Sequence, residues 1–144
     1  MELKKLHKNT IEVGKNLKLS AAIAGEKNKE ELADLNVSQM EKGIGGDGKK
    51  IKPDYAPFYA DFKGFKTPNL KVTGDYHSSI SVERKGEKLL FFSDDEGSEK
   101  VSFLEDHYRN EQYGISPQNE QKAADEIEPD LFKIVETQLE KGIL

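Results

Sequence analysis

The sequence has no cysteine and no tryptophan, and only two of its 22 basic residues are arginines, Arg84 and Arg109. Without cysteine there is no disulfide and no thiolate for zinc, for an iron–sulfur cluster or for nucleophilic attack. Without clustered arginines there is no basic stripe offering the planar, two-pronged contacts that read duplex DNA. Long apolar runs are missing as well. The longest aliphatic stretch is Ala21-Ala22-Ile23-Ala24, whereas roughly 20 apolar residues cross a bilayer. Lys4, Lys5 and Lys8 are followed by Lys15 and Lys18, which interrupt any signal-peptide core. The expectation is a soluble protein made and used inside a cell, or built into a particle assembled there.

What the sequence does have is charge. Of 144 residues, 34% are charged and 35% hydrophobic, and the net charge is −5. A single domain over residues 1–144 with a modest core is what this length and composition provide. The charge is uneven: residues 1–72 sum to +4 and residues 73–144 to −9. Solvated faces account for such a layout; a sharper reading sets a basic face of one copy against an acidic face of the next.

Residues 2–24 read as helical, with Leu3, Leu6, Val13, Leu17 and Ile23 as a loose stripe and Gly14 and Gly25 as weak points. Residues 1–25 are expected to form a protruding helical arm. A second helix is expected over 28–42, capped by Asn28, carrying Leu32, Leu35 and Met40 on one face and stopped by Gly43. Residues 54–66, with Tyr55, Phe58, Tyr59, Phe62 and Phe65, suggest a short helix or compact loop stapled by aromatics. The period then changes. Leu70-Lys71-Val72 reads as a short strand, Ile80 to Glu83 alternates, Arg84 to Glu87 is a hairpin turn, and Lys88 to Ser93 is a well-buried strand. A helical pattern returns over 99–109. Ser116-Pro117 starts a helix with a capping hydroxyl, and Glu128-Pro129 begins or kinks another that Gly142 ends. The fold class is α+β: a small antiparallel sheet of three to four strands packed against N- and C-terminal helices. Its expected core is Leu70, Val72, Ile80, Val82, Leu89 and Phe91 facing a helix stripe of Leu131, Ile134, Val135 and Leu139.

Three features invite a chemical reading. Gly43-Ile44-Gly45-Gly46-Asp47-Gly48-Lys49-Lys50 satisfies both G-x-G-x-x-G and G-x-x-x-x-G-K. A phosphate cradle must follow a buried strand and open a helix, and it needs Ser or Thr after the lysine for magnesium. This loop follows a helix, runs toward Pro53 and has Lys50 there, so a flexible turn is the better account. Asp94-Asp95-Glu96 could ligate a hard cation, yet three carboxylates in a row cannot all face one ion. His7, His77 and His107 show no i, i+4 pairing, and nothing supplies a nucleophile with a base and an orienting group. Neither catalytic, cofactor-binding nor metal-binding residues are therefore assigned.

Thr73-Gly74-Asp75-Tyr76-His77-Ser78-Ser79-Ile80 carries the most information: a strand end, a glycine turn and a one-turn start leading into a hairpin. The order resembles the T-G-x-(aromatic or Leu)-x-x-S-(Ile/Leu) signature of neck and tail-completion (head–tail joining) proteins of tailed bacteriophages. Leu35-Asn36-Val37-Ser38-Gln39-Met40-Glu41-Lys42-Gly43-Ile44 with Asp47-Gly48-Lys49-Lys50-Ile51 is similar to the run upstream of that signature in phages of the Bacteroidetes type. Tyr113-Gly114-Ile115-Ser116-Pro117-Gln118-Asn119 is similar to their downstream element. The likeness spans roughly residues 32–135, in three blocks in the same order.

The resemblance implies a non-enzymatic structural protein of a phage virion, acting in head–tail joining or tail completion as one copy in a ring. Its partners would be other copies of itself and neighbouring neck or tail proteins, with DNA only as passing cargo and no membrane. Its location would be the virion, and the host cytoplasm during assembly. The motif Thr73, Gly74, Asp75, Tyr76, Ser79 and Ile80 would be structural. Two other classes stay open at this point: a phage-encoded adaptor that binds a host protein, and a small metal-dependent phage enzyme using Asp75, His77 and Asp94.

Overall fold

Alternating apolar residues and a glycine at the turn make the hairpin. In the computed structural model, which describes residues 3–71, 73–95 and 97–141, β1 (Ile80–Lys85) pairs antiparallel with β2 (Lys88–Ser93), Ile80 opposite Ser93 and Lys85 opposite Lys88. Gly86 takes φ +63° at the tight turn, which costs a glycine little. Ile80 and Val82 are buried on the inner face, whereas β2, expected to be well buried, has Leu89 and Phe91 half-buried beside them and Leu90 exposed on the outer face.

The expected sheet of three to four strands is reduced to these two among the described residues, plus an isolated bridge between Ile44 and Lys50. Leu70 and Lys71 belong to no strand. Leu70 is buried at φ +60°, a left-handed conformation that breaks an extended run, and Val72 lies outside the described residues.

Three helices open the chain: α1 (Leu3–Lys15), α2 (Leu17–Lys27) and α3 (Lys29–Glu41). Helices α1 and α2 lie against the long C-terminal helix α7 (Glu120–Lys141), although residues 1–25 are expected from the sequence as a projecting arm, and α2 also covers the hairpin. Small buried residues of α2, namely Ser20, Ala22, Ala24 and Gly25, permit this close approach. Leu89 sits on Gly25 so tightly that a Cβ there would lie 2.5 Å from its Cδ1. Asn28 does not cap α3; its Nδ2 donates to the Ala24 carbonyl and to Asp130 Oδ2, each at 2.8 Å, tying the α2–α3 joint to α7.

The helices facing the sheet are α2 and α3, and α3 places Leu32, Ala33 and Met40 in the main core beside Ile51, Leu70, Tyr76, Val101 and Tyr108. This corrects the expected pairing of the sheet with residues 131–139. Leu131, Ile134, Val135 and Leu139 are half-buried, and their stretch of α7 lies along α1 and α2. There Asn9 Nδ2 donates to the Leu139 carbonyl at 2.8 Å, and Gln138 Nε2 donates to Ser20 Oγ at 3.1 Å.

Pro129 does not begin a helix; it lies inside α7, on the exposed side. Ser116 precedes a 3₁₀ turn (Pro117–Asn119) that leads into α7, but its hydroxyl makes no capping bond. Gly142, the expected stop, lies outside the described residues. Between these parts lie α4 (Pro57–Lys63), the single turn α5 (Asp75–Ser78) and α6 (Glu99–Tyr108), the last capped by Ser98 Oγ accepting from the Val101 amide at 3.4 Å. No helix among the described residues is long and apolar enough to cross a membrane.

Candidate functional site

Thr73 to Ile80 folds as one reversal. Gly74 takes φ +93°, the Thr73 hydroxyl accepts from the Asp75 amide at 3.3 Å, and α5 follows at once. The turn leaves Thr73 and Asp75 exposed and directs Tyr76, His77 and Ser79 inward. The Ser79 hydroxyl donates to the Tyr76 carbonyl at 2.6 Å. Its single proton is thereby used, so Ser93, whose Oγ stands 2.6 Å from Ser79 Oγ, donates to it across the start of the hairpin.

The three blocks that carry the resemblance, remote in sequence, meet around Tyr76. Gln112 Nε2 donates to the Tyr76 hydroxyl at 3.2 Å, which donates to the Tyr113 hydroxyl at 2.8 Å. Burial pushes both phenols above their ordinary value of 10.0, and at Tyr113 the neighbouring Tyr76 and the Glu105 carboxylate push further in the same direction.

From the first block, Asn36 brackets the same segment. Its Nδ2 donates to the Gln112 carbonyl at 2.9 Å and its Oδ1 accepts from the Gly114 amide at 3.1 Å. Gln39 holds the next turn: Nε2 donates to the Gly114 carbonyl, while Oε1 accepts from the Ser116 amide and from Asn119 Nδ2. Both side chains are buried, and every bond replaces one that water would make.

The glycine loop completes the junction. The Gly46 amide donates to the Glu111 carbonyl at 2.8 Å, and a Cβ on Gly46 would stand 2.0 Å from the Tyr113 carbonyl oxygen. The glycines of residues 43–50 therefore serve close backbone contact, and not the free movement expected of a flexible turn. The amides of Gly45, Gly46, Gly48 and Lys49 are each taken up by an oxygen of the chain, so no row of donors is open to a phosphate.

The residues considered for chemistry are dispersed or occupied. His77 is buried, and its Nε2 stands 2.7 Å from the Asn69 carbonyl, which fixes that nitrogen as the proton donor. Burial holds its pKa below the ordinary 6.5, against the pull of the Asn69 bond and of Glu41, whose carboxylate lies 3.9 Å from Nδ1. Asp94 accepts from the Ser81 hydroxyl at 3.1 Å, and Asp75 points to solvent. His107 stacks on Phe103 at 5.3 Å. Among the described residues no three His, Asp or Glu side chains are gathered to hold a metal ion, and Glu96 of the acidic trio lies outside them.

Several large apolar side chains stand exposed on the surface. Phe58 and Phe62, one helical turn apart on α4, are 87% and 80% exposed. Beneath them Tyr55 and Tyr59 meet edge to face at 4.9 Å, and the Tyr55 hydroxyl engages Asn69, so the helix stands on a rigid base. Phe103 on α6 and Phe132 on α7 are also exposed. Part of the charge asymmetry is matched within the chain, since α1, with a net charge of +3, lies against α7, with −4.

Sequence reasoning missed Asn36, Gln39 and Gln112. The signal was present in the spacing: Asn36 and Gln39 fall on the face of α3 that carries Leu32 and Met40, where a polar residue must find a fixed partner. Comparisons of the chain with protein-family models, with curated proteins and with solved structures give no match.

Proposed function

We propose that this chain is a non-enzymatic structural protein of a tailed-phage virion, one copy in a ring at the head–tail junction or tail end. The observation that carries the reading is the junction around Tyr76. The three blocks that resemble neck and tail-completion proteins converge there through Asn36, Gln39, Gly46 and Tyr113, and their polar groups are spent on one another. A motif used in this way holds a shape, which supports a structural role.

The exposed phenylalanines support the assembly part of the reading. Phe58 and Phe62 on α4 and Phe132 on α7 lie on different elements, as a head-to-tail contact requires, because one face of each copy must meet a different face of the next. The oppositely charged helices α1 and α7 already lie together within one copy, so contacts between copies rest more on these aromatics than on the +4 and −9 halves.

The test joins light scattering of the purified chain at low and high salt with mass spectrometry of purified particles. The chain is expected in particles at a fixed ratio to the other neck or tail proteins. Phe58→Ser with Phe62→Ser should leave monomer stability within about 0.5 kcal/mol, as exposed sites do, yet remove the chain from particles. A salt-insensitive monomer absent from particles would overturn the reading and favour the host-protein adaptor.

A further inference from the structure

A channel runs beside β2. About 520 Å³ of open space lies between Leu89 to Phe92 and an opposite wall of Glu105, Asn110, Tyr113 and Gly114. Next to it, about 240 Å³ more lies over the outer face of the hairpin, between Glu83, Lys85, Leu90 and Phe92 and the α6 residues Val101, Ser102 and Glu105. Four consecutive strand residues line one wall. Since neighbours in a strand point to opposite faces, that wall is the edge of the strand.

The pairing shows what this edge presents. The Asp94 amide donates to the Ser79 carbonyl at 2.8 Å, which continues the register of Ile80 with Ser93 and fixes which residues bond to β1. By that alternation the N–H and C=O groups of Leu89 and Phe91 point away from β1, into the channel. Among the described residues no backbone bond engages them. An apolar edge strand with open donors and acceptors is a template for a further strand, and proteins usually blunt it with charge, proline or a bulge. Here only Lys88 at one end and Asp94 and Asp95 at the other are charged.

We infer that the channel between the free edge of β2 and α6 accepts an extended segment of a partner protein, with apolar side chains at alternate positions and one lysine or arginine facing Glu105. Main-chain bonds to Leu89 and Phe91 would supply the pairing, and Leu90 and Phe92 the alternate apolar contacts. The basic residue follows from charge complementarity. Glu105 is half-buried in the channel and forms no ion pair among the described residues, whereas Glu83, the channel's other acid, is matched by Lys85 at 3.5 Å. A single strand suits a channel with two walls; β2 of a second copy would bring its own β1 with it. The inference stands apart from the virion reading.

The experiment pans a library of random peptides, each about ten residues long, against the full chain and then measures the selected peptides singly. Enriched peptides should alternate apolar residues and carry a lysine or arginine, and their binding should protect the Leu89 and Phe91 amides from hydrogen exchange. Glu105→Lys should weaken them about tenfold or more and, on reselection, favour acidic peptides. Leu90→Asp, at an exposed position, provides a second variant should Glu105→Lys disturb the fold. Failure to enrich any peptide would overturn the inference, as would peptides indifferent to both variants that leave the two amides unprotected. A concentration-dependent dimer that protects those amides without peptide would also overturn it, assigning the edge to a second copy. Presence or absence of the chain in particles bears on none of these outcomes.

Discussion

The hydroxyls of Tyr76 and Tyr113 meet at 2.8 Å, although the two residues are 37 positions apart. Tyr76 receives a bond from Gln112 and passes one on, so the proton order runs one way through buried groups. Replacing Tyr76 by Phe leaves Gln112 Nε2 without an acceptor and should cost about 1–3 kcal/mol in urea unfolding.

The same pair sets an alkaline limit. Tyr76, Tyr113 and Tyr108 all have raised phenol pKa values, Tyr108 up to about 12, with burial as the first cause in each. A raised folded pKa contributes stability that is complete below the unfolded value of 10.0 and is lost as pH climbs above it. From neutral pH up to about 10 thermal unfolding should thus be flat, and it should fall steeply beyond. Tyr76→Phe should flatten that fall.

Histidine gives the opposite sign at acid pH. The folded state holds the His77 pKa below 6.5, so its contribution is present above that value and lost as pH falls through it. Melting temperature should drop on acidification below pH 6.5 more in the native chain than in His77→Gln, whose amide can still donate to the Asn69 carbonyl. Equal drops would remove His77 from the account.

Two glycines should respond oppositely to alanine. Gly46→Ala would set a methyl 2.0 Å from the Tyr113 carbonyl oxygen and force backbone apart, at a cost of several kcal/mol, about the size of the largest point-mutant effects. Gly14 lies in α1 with nothing within 4 Å of the added Cβ. There alanine should stabilise by about 0.8–1.0 kcal/mol through helix propensity. Chemical denaturation of the two variants checks both signs.

Asn36→Ala would strip partners from the Gln112 carbonyl and the Gly114 amide together. Each buried group left unpaired costs about 1–3 kcal/mol, and Gly114 should become the first amide of its segment to exchange.

The hairpin was readable from the sequence because Ile80, Val82, Leu89 and Phe91 alternate about a glycine turn, a signal local to fourteen residues. The one-turn start after Gly74 was readable for the same reason, since a positive φ follows from the need to turn at once. The helix that covers the sheet was not. Hydropathy favoured the apolar stripe of α7, whereas α3 buries Asn36 and Gln39, whose worth depends on partners found only in three dimensions. Leu70 reads as a strand residue by type, and only the surrounding packing holds it at φ +60°. Ser116 and Asn28 are good caps by type too, yet Ser116 Oγ is buried without a partner and Asn28 is drawn off to Asp130.

The clamp from α3 to residues 112–119 also imposes an order of events during synthesis. Asn36 and Gln39 meet their partners 75 to 80 residues further along the chain. At about 5–20 residues per second, that is roughly 4–15 s of translation. Throughout that interval the inner face of α3 carries four amide and carbonyl groups that prefer water to Leu32 and Met40. The hairpin, by contrast, can form as soon as Ser93 has left the ribosome, with α2 and α3 already made. The clamp itself can therefore close only after residues 112–119 have emerged.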